Sequence, residues 1–202
     1  MKLYYSPGAC SLAPHIVAHE AGIALELEKV DTKTKQTASG EDFTRISAKA
    51  YVPALVLDDG QVLTEGPVIA QYLADQRPQA GLAPEAGTLA RYRLLETLGY
   101  INSEIHKNYS PLFNPANDQA IRDASIAALT RRYALIEDAL STSPWLLGGD
   151  FSIADAYLFV VTNWARIVKL DLSAFPSVRD FQERVAARPA VQAAMRAEGL
   201  IK

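Results

Sequence analysis

One cysteine, three histidines and no long apolar run in 202 residues already exclude several kinds of protein. The lone thiol, Cys10, has no partner for a disulfide within the chain, so nothing calls for an oxidising compartment. No stretch reaches the roughly 18 apolar residues of a membrane-spanning helix. The opening, MKLYYSPGAC, lacks the apolar core that follows the lysine of a secretory leader. Basic clusters are missing too: Lys and Arg total 20 against 23 Asp and Glu, a net charge of −3. Such a surface is not patterned to neutralise a nucleic-acid backbone or an anionic membrane. His15 and His19 stand four apart, but they have no further Cys or His ligand nearby and no H-E-x-x-H glutamate, so no metal site is expected. The expectation is a cytoplasmic protein whose partner is neither nucleic acid nor membrane. What is present, 49% hydrophobic and 21% charged residues, is the balance of a folded globular chain.

The two halves of the chain follow different patterns. Lys2–Tyr5 reads as a strand stopped by Ser6-Pro7-Gly8, and a helix follows from Ser11 to about Ala21, with Ser11 as its cap and Gly22 as its end. Leu25–Val30 reads as a second strand, and Glu41–Ile46 as a weak helix. Ala54–Leu57 and Gln61–Leu63 flank Asp58-Asp59-Gly60 as a hairpin, and Gly66-Pro67 opens a helix through Gln76. A parallel crossover, an antiparallel hairpin and a covering helix predict a four-stranded mixed sheet of thioredoxin topology over residues 1–77. Residues 78–87 read as a linker. From 88 to 202 strand signals vanish. Helices are expected over Leu89–Tyr109, Asp118–Leu140, Ser152–Val168, Ser177–Ala187 and Ala190–Glu198, forming an all-α domain. Ser152-Ile153-Ala154-Asp155 has the form of a capping box, and the apolar helix behind it belongs in the middle of a bundle. The fold class is thus α/β plus all-α, a thioredoxin-like N-terminal domain followed by a helical bundle.

Chemistry-bearing residues concentrate at the ends of these elements. Cys10 lies between the first strand and the first helix, where backbone amides and the helix dipole favour an anion and lower a thiol pKa from about 8.5. It reads either as a reactive, thiolate-binding position or as a small buried hydrophobe. C-S-L-A lacks the second cysteine of C-x-x-C, so redox work would need an external thiol. Val52-Pro53 stands before the third strand; a cis bond there would turn Val52's main chain outward to pair with an extended peptide, and a plain loop proline is the alternative. Glu65-Gly66-Pro67 offers helix amides to a carboxylate and an acid to an ammonium, or is simple capping. His106, with Ser103, Glu104 and Lys107 around it, is either structural or a proton-handling group facing a cleft.

Taken together, MKLYYSPGACSLAPHI, YVPAL (51–55), LTEGPVIAQYLADQ (63–76), SEIHK (103–107), SPLFNP (110–115) and FSIADAYLF (151–159) resemble the bacterial beta-class glutathione S-transferases across essentially the whole chain. The subgroup is the one found with catabolic pathways for aromatic and chlorinated aromatic compounds. The resemblance implies glutathione as co-substrate and no metal. Cys10 then lies beside the glutathione sulfur, with Tyr5 and Ser11 near this thiol. Val52 pairs through its main chain with the cysteinyl unit, and Pro53 is cis. Glu65 and the Gly66 amide hold the γ-glutamyl end, and Lys35 takes the glycyl carboxylate. Ser103 and Glu104 reach the partner's site in a symmetric homodimer, and His106 lies on the electrophile side. Ser152 and Asp155 fall in a folding signature. Two positions depart from relatives: Gly66, where many carry serine, and Gly99, where asparagine is frequent.

The expected activity is transfer of glutathione to a small hydrophobic electrophile, held by an apolar pocket of Tyr109, Phe113 and Trp164 from the helical domain. A second reading is a thiol transferase or reductive dehalogenase cycling through a Cys10 mixed disulfide. A third is a non-catalytic binding protein on the same fold.

Overall fold

The computed structural model describes all 202 residues and divides into two compact units, Met1–Ala83 together with Ala187–Lys202, and Pro84–Ala186. In the first, β1 (Lys2–Tyr5), α1 (Leu12–Glu20), β2 (Glu26–Asp31), β3 (Gln36–Thr37), a 3₁₀ turn (Phe43–Arg45), β4 (Ala54–Val56), β5 (Val62–Thr64) and α2 (Gly66–Asp75) follow in order. The sheet runs β3-β2-β1-β4-β5. Central β1 pairs parallel with β2, Leu3 opposite Leu27, and antiparallel with β4, Leu3 opposite Leu55. Successive side chains on a strand point to opposite faces. Tyr4 therefore joins Phe43, Val30, Val52 and Ala54 in one apolar cluster, its ring 5.5 Å from that of Phe43. Tyr5 faces the other way, its ring 6.3 Å from His15 of α1.

The sheet has five strands where four were expected. The extra one, β3, is two residues long and carries no apolar alternation; it exists because Lys35, at φ 60°, reverses the chain so that Val30 pairs with Thr37. Ser11 does not cap α1 either. Its backbone is already helical and its side chain makes no cap bond, because the loop's own carbonyls receive the first amides: Leu12 N–H donates to Ala9 O and Ala13 N–H to Cys10 O. At the other end Gly22, at φ 65°, stops the helix in the left-handed region that glycine adopts without cost.

The last helix, α8 (Pro189–Ala197), belongs to the first unit and not to the helical domain assigned to 88–202. It packs on α1. Arg188 forks onto the Glu20 carboxylate at 2.6 and 2.9 Å, and Glu198 accepts from the Gly8 amide at 2.9 Å and lies 3.0 Å from His15 Nδ1. Apolar spacing announces a helix; it does not say which neighbour buries Val191 and Ala194. The expected linker 78–87 itself contains a 3₁₀ turn, Pro78–Ala80.

The second unit contains α3 (Leu89–Tyr100), a π-helical turn (Ile101–His106), α4 (Lys107–Phe113), α5 (Gln119–Thr142), α6 (Ile153–Val168) and α7 (Pro176–Ala186). Thr88 and Asp118 cap α3 and α5 through their side chains. The helix expected over Leu89–Tyr109 continues to Phe113 and is widened midway by the π turn. At the start of α6, Asp155 accepts from the Ser152 amide (2.9 Å), the Ser152 hydroxyl (2.7 Å) and the Leu146 amide (2.9 Å). Nearly all of α6 beyond it is buried, as its composition requires.

Candidate functional site

In the first unit, the loop from Ser6 to Ser11 sets the position of Cys10. Ser11 is fully buried; its hydroxyl donates to Ser6 O and accepts from Ser6 N–H, both at 3.2 Å, and the Ala9 amide adds a bond to Ser6 O. Gly8 sits at φ 70°, the left-handed region glycine adopts without cost, and a Cβ there would make ordinary contact with the Leu200 side chain at 3.4 Å. Ser11 is a staple of this loop.

The Cys10 thiol donates to Val52 O at 3.5 Å. Burial pushes it up to about 12, and the nearby Glu65 carboxylate adds to the rise, while the Cys10 and Ser11 amides pull only partly the other way. The expectation of a lowered thiol pKa is therefore corrected. A helix N-terminus favours an anion, but here the desolvation of the sulfur outweighs it.

Val52-Pro53 is cis. Gly66, the first residue of α2, lies against Pro53 and the Cys10 carbonyl: an added Cβ would meet Pro53 Cγ at 3.6 Å and Cys10 O at 3.9 Å. Glu65 caps this helix from the left-handed side of backbone space, φ 69° and ψ 111°, a conformation costing a non-glycine residue about 1–2 kcal/mol. Its half-exposed carboxylate is paired with Lys49 Nζ and lies 3.4 Å from the Tyr51 hydroxyl, and that pairing raises the Lys49 pKa. Cys10, Val52, Pro53, Glu65 and Gly66 thus converge at the adjoining ends of α1, α2 and β4. Lys35 stands apart in the β2–β3 turn, where its amide donates to Asp31 O and its carbonyl accepts from the Phe43 amide. Chemically the convergence offers a strand-like main chain at Val52, a carboxylate, helix amides and a neutral thiol.

In the second unit, the π turn carries Ser103, Glu104 and His106. Ser103 is exposed and donates to Gly99 O at 3.0 Å. Glu104 is held within its own chain: Arg132 of α5 donates to its Oε2 from Nε (3.0 Å) and Nη2 (2.8 Å). His106 Nδ1 lies 2.6 Å from the Tyr157 hydroxyl, and its ring meets Trp164 edge-on at 4.8 Å. Trp164 also receives the edges of Tyr109 (5.7 Å) and Phe113 (5.5 Å), so the structure gathers all four aromatic and imidazole rings. Tyr109, however, is 0% exposed, and its hydroxyl joins Tyr133 and, through it, Thr162. It is a core residue and offers no surface to a substrate, whereas Phe113 is 45% exposed.

Several partners escaped the sequence. Lys49 and Tyr51 carry no motif, and only their nearness to the Val-Pro step marked them. Tyr157 falls within S-I-A-D-A-Y, a segment whose local pattern is that of a cap, and Asn102, four residues before His106, is the one signal of its environment. Glu198 is remote in sequence from the loop it closes. His15 and His19, read as a failed metal pair, stack at 5.0 Å.

Residues 8–76 match the family model described as glutathione S-transferase, N-terminal domain, and residues 100–189 the model described as glutathione S-transferase, C-terminal domain. Glutathione S-transferase GstA of Escherichia coli O157:H7 is 44% identical over 99% of this chain and 100% of its own length. Among solved structures, the ternary complex of BphK, a bacterial GST, superposes with a TM-score of 0.98 at 52% identity, covering 99% of this chain and 100% of that one. A sphingomonad glutathione S-transferase complexed with glutathione gives 0.96 at 45% identity, with both chains covered fully. With its sheet, its helical unit and the cis-proline site in place, this chain belongs to the glutathione S-transferase family.

Proposed function

We propose that this protein is a beta-class glutathione transferase in which the glutathione thiolate itself attacks a small aromatic or halogenated electrophile, with Cys10 as a neutral donor beside it. The observation that carries the reading is the Cys10 thiol, raised to about 12 and donating to Val52 O. At neutral pH such a thiol keeps its proton, so it is a poor nucleophile, and that one proton turns from Val52 O to a second sulfur bearing charge when glutathione arrives. A free thiol near 8.5 is only a few per cent ionised at pH 7, so donors at the glutathione sulfur are what the reaction needs.

The groups around Cys10, with Lys35 from the more distant β2–β3 turn, suit the rest of the tripeptide. Val52 offers its main chain to the cysteinyl unit, Glu65 and the Gly66 amide address the γ-glutamyl ammonium and carboxylate, and Lys35 supplies a cation for the glycyl end. Tyr5 and Ser11 act through the loop that carries Cys10, and His106 serves the electrophile side with Phe113 and Trp164. The protein works as a cytoplasmic homodimer; Ser103, exposed on the π turn, is the residue offered to the partner, since Glu104 is already held by Arg132. A role in breakdown of aromatic compounds goes with this substrate class.

The test is conjugation of glutathione to 1-chloro-2,4-dinitrobenzene by wild type and Cys10→Ala. The variant is expected to keep most of the wild-type rate. Collapse of the rate while calorimetry still reports glutathione binding would overturn the reading in favour of a mixed-disulfide cycle. Failure of the wild type to bind glutathione at all would leave a non-catalytic protein.

A further inference from the structure

We infer that Tyr157 is a positioning residue that holds His106 as the Nδ1–H tautomer, so that Nε2 is the ring atom that accepts a proton. The inference rests on the reading of His106 as a participant in transfer. The Tyr157 oxygen lies 2.6 Å from His106 Nδ1 and donates to Asn102 Oδ1 at 2.9 Å. A tyrosine hydroxyl has one proton to give, and a carboxamide oxygen only accepts. The proton directed at Asn102 leaves the Tyr157 oxygen as an acceptor toward the imidazole, and Nδ1 must then carry its own hydrogen. The chain of donors runs from Nδ1–H to the Tyr157 O–H to Asn102 Oδ1.

Two helices frame this chain, with Asn102 at its exposed end. Asn102 and His106 begin and end one stretch of the π turn, and π turns interrupt helices chiefly where function shapes them. Tyr157 comes from α6, is 1% exposed, and sits two residues beyond Asp155, whose three accepted bonds anchor that helix end. Trp164, one helical stretch further along α6, meets the His106 ring at 71° and sets its plane. The imidazolium donates from Nδ1 as the neutral ring does. Uptake or release of a proton at Nε2 therefore leaves every bond of the chain in place, and no reorganisation accompanies the charge change.

The experiment is ¹⁵N NMR of the full-length protein labelled at the histidine rings, above the titration of His106, with the signal assigned by its loss in His106→Gln. The expected spectrum has a protonated Nδ1 and a bare Nε2. In Asn102→Leu the Tyr157 proton loses its acceptor and turns to the imidazole, and the tautomer inverts. Tyr157→Phe, which keeps the ring that packs in α6, is expected to lower kcat about tenfold, a fraction of what general acid–base groups contribute, with KM for glutathione within about twofold of wild type. A bare Nδ1 in the wild type, or no inversion in Asn102→Leu, overturns the tautomer assignment whatever the activity. The expected tautomer with unchanged kcat in both Tyr157→Phe and His106→Gln overturns the reading of His106 on which the positioning role depends. Loss in His106→Gln without loss in Tyr157→Phe overturns the positioning role alone.

Discussion

Two acidic residues at helix N-termini, Asp155 and Glu65, are held in opposite ways. Asp155 at the start of α6 is fully buried and accepts three hydrogen bonds from Ser152 and Leu146. Burial raises its pKa, and those same donors pull it back down. Glu65 at the start of α2 is half-exposed, sits on strained backbone and leans on one surface lysine. A carboxylate whose partners are all internal is spent on folding. One kept at a backbone cost, with its acceptor sites turned to solvent, is kept for something that arrives from solvent. Both are acids at a helix N-terminus, Glu65 as the N-cap of α2 and Asp155 in the first turn of α6; satisfaction of the oxygens tells them apart.

The sharpest way to break this comparison is to remove both carboxylates and measure both properties. Asp155→Ala is expected to cost about 3 kcal/mol in urea unfolding, because three buried donors lose their acceptor. Glu65→Gln should leave stability nearly unchanged and weaken glutathione binding by about 2 kcal/mol in calorimetry, the scale of a charge-assisted contact. Equal destabilisation by the two would defeat the distinction. Glu65→Gly sharpens it further: relief of the positive φ should raise the unfolding free energy by about 1 kcal/mol while binding falls as in the glutamine variant.

Cys10 extends the comparison to a third ionisable group, one whose sulfur is desolvated. Its folded pKa of about 12 lies above the ordinary thiol value of about 8.5, so as pH rises the unfolded chain ionises first. The contribution is complete below about pH 8.5 and is lost on approach to 12, at a slope on the order of 1 kcal/mol per pH unit. Cys10→Ala should lack that slope in alkaline urea titrations, and wild-type alkylation by iodoacetamide should stay slow to pH 9. Rapid labelling at pH 7 would mean a thiolate and would reverse the assignment of roles. The smallest effects belong to the two departures from relatives. An added Cβ at Gly66 makes only ordinary contacts and one at Gly99 meets nothing within 4 Å. Gly66→Ser and Gly99→Asn should each shift stability by less than about 0.5 kcal/mol, and a larger loss in either would show that the glycine is required.

What the sequence by itself determined is whatever short-range physics writes locally. The strand–turn–helix at Lys2–Glu20, the Asp-Asp-Gly hairpin, the Gly-Pro start of α2 and the capping box of α6 each follow from residues within a few positions of one another. Val52, Pro53, Glu65 and Gly66 each stand at the end of a local element, but only the fold sets them against one another and against Cys10. The tertiary structure decided the rest, chiefly through contacts far along the chain. The β3 strand exists by pairing and not by pattern. Helix α8 chose α1 as its neighbour through Arg188 and Glu198. The His106 tautomer depends on a tyrosine 51 positions away. The Cys10 thiol shows the same division most plainly. Its place at a helix N-terminus was legible and argued for an anion, but desolvation is set by everything that folds around the sulfur, and desolvation prevailed.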